Sequence, residues 1–266
     1  MSPRAVHALR TTSRRLQSIL AARADTRART DDKLYKQLRK IRRQAANVRD
    51  LDVQLAALKT LDVPFATAEQ ERVIRTLQRK RHKSAETLRD FLSAYRPRLR
   101  EAFAAEEPRF KPAPSATKRR KAPAVHDALL KALTNFAEAT ETLRVESDDD
   151  LHAFRIFVKK ARYTAELAGD DPEATAAIAA FKQIQDAIGQ WHDWALLAST
   201  TDAVLGHPAN SALVRRLSEE VRRRHAHARR VAARKTKLLL EMYAALTGAK
   251  RPAASRRTPS RATRAM

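Results

Sequence analysis

Residues 151–161 read LHAFRIFVKKA, and residues 6–16 read VHALRTTSRRL. In the later stretch, apolar residues recur at three- and four-residue intervals, which is the spacing of a buried stripe on an α-helix. The earlier stretch has the same order of apolar residue, His, Ala, apolar residue and Arg. The two stretches therefore predict two copies of one amphipathic helix.

Two further pairs of segments keep the same order, at nearly the same distance along the chain. Three blocks in one order at nearly one offset indicate an internal duplication. We predict repeat halves at about residues 3–103 and 125–247. The matching residues are Arg39 with Lys182, Ile41 with Ile184, Arg49 with His192, Asp50 with Asp193, Arg79 with Arg222, Arg81 with Arg224, and His82 with His225.

The composition favours helices throughout the chain. The 266 residues include 54 Lys+Arg and 30 Asp+Glu, a formal net charge of +24, and 43% of them are hydrophobic. With 4 Gly and 5% aromatic residues, the chain has few of the residues that sandwiches, barrels and Rossmann-type loops require. We predict an all-α fold, a duplicated, pseudo-two-fold bundle of long antiparallel helices around a basic central groove. The helical pattern covers about residues 3–22, 31–61, 67–103, 125–144, 149–168, 172–204 and 210–247.

Proline and basic residues separate the two halves and follow the helical part. Residues 104–124 contain four prolines and the sequence KRRK, which is typical of a linker. Residues 248–266 contain six basic residues and no acidic one, and we expect a disordered basic tail there. The predicted helical domain is residues 1–247, and most of the positive charge lies within it.

Several classes of protein are disfavoured by features that the sequence lacks. Zero Cys excludes disulfides, thiolate metal sites and cysteine nucleophiles. No run of 18 apolar residues exists, so we expect no membrane span. A nucleophile elbow, a His-Glu-x-x-His pair and a Gly-rich phosphate loop are absent as well. We therefore expect a cytoplasmic protein without catalysis, metal or cofactor.

Some segments leave two interpretations open. The triplet Asp148–Asp150 suits an N-cap better than a metal site. Asp50 with Asp52, and His192 with Asp193, are the carboxylate and His–carboxylate pairs of interest, but Asp50 and Asp193 suit an ion pair with a nearby Arg or the cap of a local bend better than catalysis. Residues 1–24 are rich in Arg and free of acids, as in a transit peptide. The pattern that they share with residues 151–161 favours a helix of the fold instead.

Basic residues accompany the apolar stripe in both copies. On a helix, positions i, i+3, i+7 and i+10 lie on one face, and like charges there repel each other. An anionic ligand would compensate them, and the alternative is a solvated face with internal ion pairs. The positions are His7, Arg10, Arg14 and Gln17 in the first copy, and His152, Arg155, Lys159 and Arg162 in the second.

A phosphate chain is the anion that suits these side chains. An Arg fork binds two oxygens, Lys acts as a point charge, and His donates from a ring nitrogen. A linear polyphosphate has no sequence to read, so basic faces on neighbouring helices would bind it along its length. We predict that both copies line one extended groove. Its other walls would come from two matching clusters, Arg79, Arg81 and His82 in the first half and Arg222, Arg224 and His225 in the second.

Nonspecific DNA or RNA binding is the alternative function. Phosphate contacts supply most nonspecific affinity, so the charge alone supports it. Proteins that bind RNA or single strands usually place aromatic residues among the basic ones for base stacking. Here Trp191, Trp194 and Tyr243 lie apart from the basic positions, and no helix-turn-helix or zinc-finger spacing occurs.

The two basic blocks resemble the repeated motif of the CHAD family, a helical domain named for its histidines. The stretches VRDLD at 48–52 and WHDW at 191–194 resemble further segments of that family. The resemblance implies two pseudo-symmetric bundles enclosing a basic channel, binding of inorganic polyphosphate, and association with polyphosphate granules. Gln17 and His192 depart from the family pattern. The implied polyphosphate-binding residues are His7, Arg10, Arg14, Arg15, His152, Arg155, Lys159, Lys160, Arg162, Arg81, His82, Arg224 and His225.

Overall fold

The computed structural model describes residues 1–23, 32–63, 66–110, 123–142, 148–169, 171–208 and 210–248. Within these ranges the chain forms helices and no strand, so the all-α prediction is confirmed. The helices are α1 (Pro3–Arg23), α2 (Asp32–Thr60), α3 (Thr67–Phe110), α4 (Pro123–Thr142), α5 (Asp148–Ala165), a short 3-10 helix (Glu166–Ala168), α6 (Pro172–Leu205) and α7 (Ala212–Thr247).

Side-chain caps fix the starts of the later helices. Asp171 Oδ1 accepts a hydrogen bond of 2.8 Å from the Ala174 amide, and Pro172 occupies the first helical position. Ser211 Oγ accepts one of 3.1 Å from the Val214 amide at the start of α7. Such caps satisfy amides that have no partner within the helix, so α6 and α7 begin close to the predicted positions.

Helices α2 and α3 form an antiparallel hairpin with a short connection. Gln70 Nε2 donates hydrogen bonds of 2.7 Å to the Leu58 carbonyl and 3.2 Å to the Leu61 carbonyl. These carbonyls lie at the end of α2, where no further helical turn follows, and the Leu58 carbonyl also accepts a hydrogen bond of 3.3 Å from the Leu61 amide. The first turn of α3 therefore caps the end of α2.

Helix α3 is longer than the sequence predicts. It continues through Pro97 to Phe110, although proline removes one backbone donor from a helix. Leu99 and Ala102, which follow the proline, pack against the buried residues Leu34 and Leu38 of α2. Helix α3 thus continues to pack on α2 through apolar side chains after the proline.

The predicted linker and tail lie only partly within the described residues. Residues 104–110, at the start of the predicted linker, belong to α3. Residues 111–122, which contain the KRRK cluster, and residues 249–266 of the predicted tail lie outside the described residues.

The chain packs as two compact units whose boundaries cross α6 and α7. These units differ from the repeat halves predicted from the sequence, because α6 and α7 each contribute to both. The pseudo-two-fold relation and the central groove stay predictions. Unit 1 comprises Met1–Lys121 and Gln185–Val231, and unit 2 comprises Ala122–Ile184 and Ala232–Met266.

The core of unit 1 packs α1 against the α2–α3 hairpin. Val6 of α1 is fully buried in a cluster that includes Val48 of α2 and Leu88 of α3. A second cluster joins the end of the hairpin, through Leu58 and other side chains, to the α6–α7 connection. The remaining residues of that second cluster are Leu61, Val63, Ala66, Val73, Leu77, Leu197, Leu213 and Leu217.

The core of unit 2 is aromatic. The ring of Phe136 on α4 lies 6.1 Å from that of Phe154 on α5, and 5.2 Å from that of Phe181 on α6. All three side chains are buried. Phe157 extends the cluster, with its ring centre 6.0 Å from that of Phe136. Helix α5 is therefore anchored by large side chains.

Candidate functional site

The cations of α5 lie directly beside its buried stripe. Leu151, Phe154 and Val158 are buried, and a basic residue or His follows each of them by one position. Because successive helix residues are about 100° apart, these residues border the packed face of α5. The α5 row consists of His152, which is exposed, and Arg155, Lys159 and Arg162, which are half-buried.

Arg162 closes the α5 row with two contacts of its own. Its Nη1 lies 3.4 Å from Glu166 Oε1, and its guanidinium carbon lies 4.9 Å from the ring centre of Tyr163. The Arg162 side chain is 17% exposed, and its carboxylate partner is 44% exposed. Such a guanidinium is oriented by its neighbours and keeps access to solvent.

The cations of α1 have the same placement. His7 follows the buried Val6 and is exposed. Arg10 and Arg14 are half-buried, and Arg14 follows the buried Ser13. We call His7, Arg10 and Arg14 the α1 row. Both rows thus share one position relative to the packed face of their helix.

Gln17 departs from the motif for a packing reason. It occupies the position that corresponds to Arg162, but it is 4% exposed. Its Nε2 donates a hydrogen bond of 3.3 Å to the backbone carbonyl of Tyr35 on α2. A guanidinium at this position would have to be buried between two helices, which is costly without a charged partner.

Arg15 and Lys160 lie apart from the rows. Each follows a buried residue by two positions rather than one, which places it about 200° around the helix from that residue. Both are exposed. Lys160 lines a cavity of about 410 Å³ with Phe157 and Glu138. The structure therefore does not bring these two predicted site residues together with the rows.

Arg81 is bound to protein groups. Its Nε donates a hydrogen bond of 2.9 Å to Asp52 Oδ1, and its Nη2 donates one of 2.8 Å to the Met1 carbonyl. The Arg81 side chain is 21% exposed and the Asp52 side chain 5%. The predicted ligand residue is thus one half of a largely buried ion pair.

His82 lies on the exposed side of α3. Its Nε2 is 3.2 Å from Glu86 Oε1, and its side chain is 77% exposed. It lines a cavity of about 710 Å³ together with the basic residues Arg75, Arg79 and Lys83. Arg79 and His82, which the sequence groups with Arg81, therefore border a different surface from the Arg81–Asp52 pair.

A buried carboxylate organises the basic stretch of α7 in unit 1. Glu220, whose side chain is 5% exposed, accepts hydrogen bonds from Nε and Nη2 of Arg223 and from Nε of Arg224. The hydrogen bond from Arg223 holds the pKa of Glu220 below its ordinary value, although burial acts in the opposite direction. The same bond raises the pKa of the Arg223 guanidinium.

The two predicted site residues of α7 contact aromatic rings of α6. The Arg224 guanidinium carbon lies 4.7 Å from the ring centre of Trp194, and its Nη1 donates a 3.1 Å hydrogen bond to Gln190 Oε1. The ring of His225 lies 5.4 Å from that of Trp191 at an angle of 62°. Both side chains are half-buried, so this cluster joins α6 to α7. The expectation that Trp191 and Trp194 lie apart from the basic positions is therefore wrong, because helix packing brings them against His225 and Arg224.

The sequence interpretation missed the acidic partners. Glu220 lies three and four positions before Arg223 and Arg224, and this spacing is a recognisable sign of helical ion pairs. Asp52 lies two positions after Asp50 in the sequence, but its pairing with Arg81 joins two helices and leaves no local pattern. Within the described residues, no group of three or more His, Asp and Glu side chains could hold a metal ion.

Comparison with known proteins agrees with the helical motif. A family model for the CHAD domain matches residues 1–202. The chain belongs to the CHAD family. CHAD domains are associated with polyphosphate binding. The matched region contains both rows and ends within α6, before Arg224 and His225. No curated protein and no solved structure gives a significant match to the chain. None of the described helices has the length and apolar character needed to cross a membrane.

Proposed function

We propose that this CHAD-family chain binds inorganic polyphosphate through the α1 row and the α5 row, without transforming it. The observation that carries the proposal is the shared register of the two rows. In each helix, a His and basic residues follow residues of the packed stripe by one position; in α1 these stripe residues are the buried Val6 and Ser13 and the partly buried Leu9. A solvated surface does not require this placement twice.

The burial of the stems supports binding to an extended anion. Arg10, Arg14, Arg155 and Lys159 are half-buried, so each loses less side-chain freedom on binding than a fully exposed residue would. Charged hydrogen bonds to phosphate oxygens are among the strongest that side chains form. Binding should weaken steeply with added salt, because a polyanion releases counterions when it is bound.

The proposal includes retention on polyphosphate granules in the cytoplasm. A granule presents many equivalent anionic chains, so a protein with several phosphate-binding groups would rebind there repeatedly. A fluorescent fusion of the full chain should colocalise with granules, and the same fusion with both rows neutralised should spread through the cell. Equal distribution of the two fusions would contradict granule targeting.

Reversing one charge in each row tests the site directly. Arg10→Glu combined with Arg155→Glu should weaken polyphosphate binding about 100-fold or more, since each charged hydrogen bond contributes about 1.5–3 kcal/mol. The matched control is Arg96→Glu with Lys131→Glu, which changes the charge equally at exposed positions of α3 and α4 outside the rows. Titration calorimetry and circular dichroism would report affinity and helicity. An equal loss in both double variants would mean that total charge, not the rows, determines binding.

Competition separates polyphosphate from nucleic acid. Long-chain polyphosphate and duplex DNA, supplied at equal phosphate concentration, should compete for the labelled protein in favour of polyphosphate. A preference for DNA would support the nucleic-acid alternative. Gel analysis of the polyphosphate after incubation should show unchanged chain length, and shortening would refute non-catalytic binding.

The exposed histidines predict a dependence on pH. A bound polyanion favours the protonated imidazole over the neutral one, so binding that involves these histidines takes up protons and is favoured at lower pH. Binding should therefore strengthen as the pH falls from 8 to 6, and less so in the variant with His7→Gln and His152→Gln. Equal affinity of the unmodified chain at both pH values would contradict a role for the histidines.

A further inference from the structure

The first residues of the chain are tied to the α2–α3 hairpin by Arg81. The guanidinium joins Asp52 Oδ1 on α2, at 2.9 Å, to the Met1 carbonyl, at 2.8 Å. We call Arg81, Asp52 and the Met1 carbonyl the Arg81 clamp. Because Arg81 itself belongs to α3, the clamp connects two helices and the segment that precedes α1.

This segment continues directly into the first turn of α1. The Ala5 amide donates a hydrogen bond of 3.3 Å to Ser2 Oγ, and the Val6 amide donates one of 3.1 Å to the Ser2 carbonyl. Val6 is fully buried in the cluster between α1, α2 and α3, and His7 follows it. The clamp therefore lies at the base of the α1 row.

The contacts of Arg81 disfavour a direct role in anion binding. Two of its nitrogen atoms already donate to protein oxygens, and the adjacent carboxylate cancels its charge. Asp52 Oδ2 is buried and accepts no hydrogen bond from the described residues, so Arg81 provides the compensating charge there. An incoming phosphate would have to compete with a buried carboxylate for the guanidinium.

We propose that Arg81 is a positioning residue: the Arg81 clamp fixes the start of α1 and so places His7 and Arg10 for polyphosphate binding. This inference rests on the proposed function. It assigns to Arg81 and Asp52 a role through α1, in place of the ligand role that the family resemblance implies for Arg81.

Removing the Asp52 carboxylate should change polyphosphate affinity in opposite directions, depending on whether Asp52 acts only through its charge or through the Arg81 clamp. Asp52→Asn deletes a negative charge near the proposed site, so electrostatics alone would strengthen polyphosphate binding. If the clamp positions α1, the same change should weaken binding about fivefold, because the ion pair is replaced by a weaker hydrogen bond from the guanidinium to a neutral amide oxygen. Asp90→Asn, at an exposed position of α3, is the matched control and should bind as well as the unmodified chain or slightly better. Tighter binding by Asp52→Asn would overturn the inference.

A charge-preserving change at Arg81 provides the second test. Lys retains the positive charge, but it lacks the planar fork that reaches Asp52 and Met1 together. Arg81→Lys and Arg81→Gln should therefore weaken binding similarly, and both should keep the salt dependence of the unmodified chain, since no phosphate contact is lost. Normal affinity of Arg81→Lys, or a shallower salt dependence of Arg81→Gln, would show that Arg81 contacts phosphate itself.

Amide hydrogen exchange tests the clamp without any ligand. In Arg81→Lys, the amides of the first turns of α1 should exchange faster than in the unmodified chain, and those of α7 should not change. Unchanged exchange in α1 would refute the clamp, and faster exchange throughout would indicate a general loss of stability instead. Failure of the unmodified chain to bind polyphosphate would refute the proposed function and leave this measurement intact.

Discussion

Helices α1 and α5 carry the same cationic pattern, but different kinds of buried side chain anchor them. The packed face of α5 contributes Phe154, whose ring lies in an aromatic cluster around Phe136. The packed face of α1 contributes the smaller Val6 and the polar Ser13, which are both buried. The cationic edge is thus independent of the kind of core that anchors the helix, and depends only on its register beside that core.

At the last position of each row, the packing around the helix does determine which residue is present. Arg162 has space for an ion pair with Glu166 and for a contact with Tyr163. Gln17, at the corresponding position, is buried and bonded to the backbone of Tyr35. Where the helix packs closely on a neighbour, the fourth position becomes a packing residue and the row shortens to three members.

The largest expected effect is the loss of stability when a buried side chain that anchors α5 or α1 is truncated. Phe154→Ala should lower the free energy of unfolding by about 3–5 kcal/mol, the usual cost of removing a buried Phe side chain. Val6→Ala removes two methyl groups and should cost about 2 kcal/mol. Urea denaturation followed by circular dichroism measures both changes. Equal costs would break the contrast between an aromatic and an aliphatic anchor.

An exchange at the fourth position should separate stability from binding. Gln17→Arg places a guanidinium in a buried location and should lower the free energy of unfolding by about 1–3 kcal/mol, with no gain in polyphosphate affinity. Arg162→Gln removes a charge with solvent access and should weaken polyphosphate binding about tenfold.

The two variants of this exchange control each other. The exposed Glu166 can pair with water when Arg162 is replaced, so Arg162→Gln should change stability by less than about 1 kcal/mol. Chemical denaturation and calorimetry on the same preparations give both quantities. If Gln17→Arg strengthened binding at unchanged stability, position 17 would belong to the site and the packing explanation would be wrong.

The smallest expected effect on polyphosphate binding comes from charge reversal at Arg15 or Lys160, which lie outside the rows. Arg15→Glu and Lys160→Glu should each weaken binding less than charge reversal at Arg10 or Arg155, because neither side chain borders the packed face with the rows. We expect about threefold or less from the change in overall field alone. A loss as large as that of Arg10→Glu would restore Arg15 and Lys160 to the site implied by the family motif.

The fold was largely predictable because its signals are local. The apolar spacing around Phe154 and the cap at Asp171 indicate where helices run and begin, and both depend on neighbours within a few positions. The end of α3 was not predictable in this way. Prolines signal a break from sequence alone, whereas the packing of Leu99 against α2 depends on a residue more than 60 positions away.

The sequence predicts which cationic residues share a helix face, but not which acidic residue each of them pairs with. Helical spacing alone identifies Arg10 and Arg155 as members of cationic faces. The same spacing groups Arg81 with His82, although the former is paired with Asp52 and the latter lies in solvent beside Glu86. The Arg81–Asp52 pair depends on which helices pack together, so no pattern within one helix could have shown it.

The chain also contains its own optical reporter. Its two tryptophans are Trp191 and Trp194, and their indole rings lie beside the imidazole of His225 and the guanidinium of Arg224. Tryptophan fluorescence therefore originates from one place, where α6 meets α7 in unit 1. A spectral change on titration would report events at that contact, and a silent titration would localise the added molecule elsewhere.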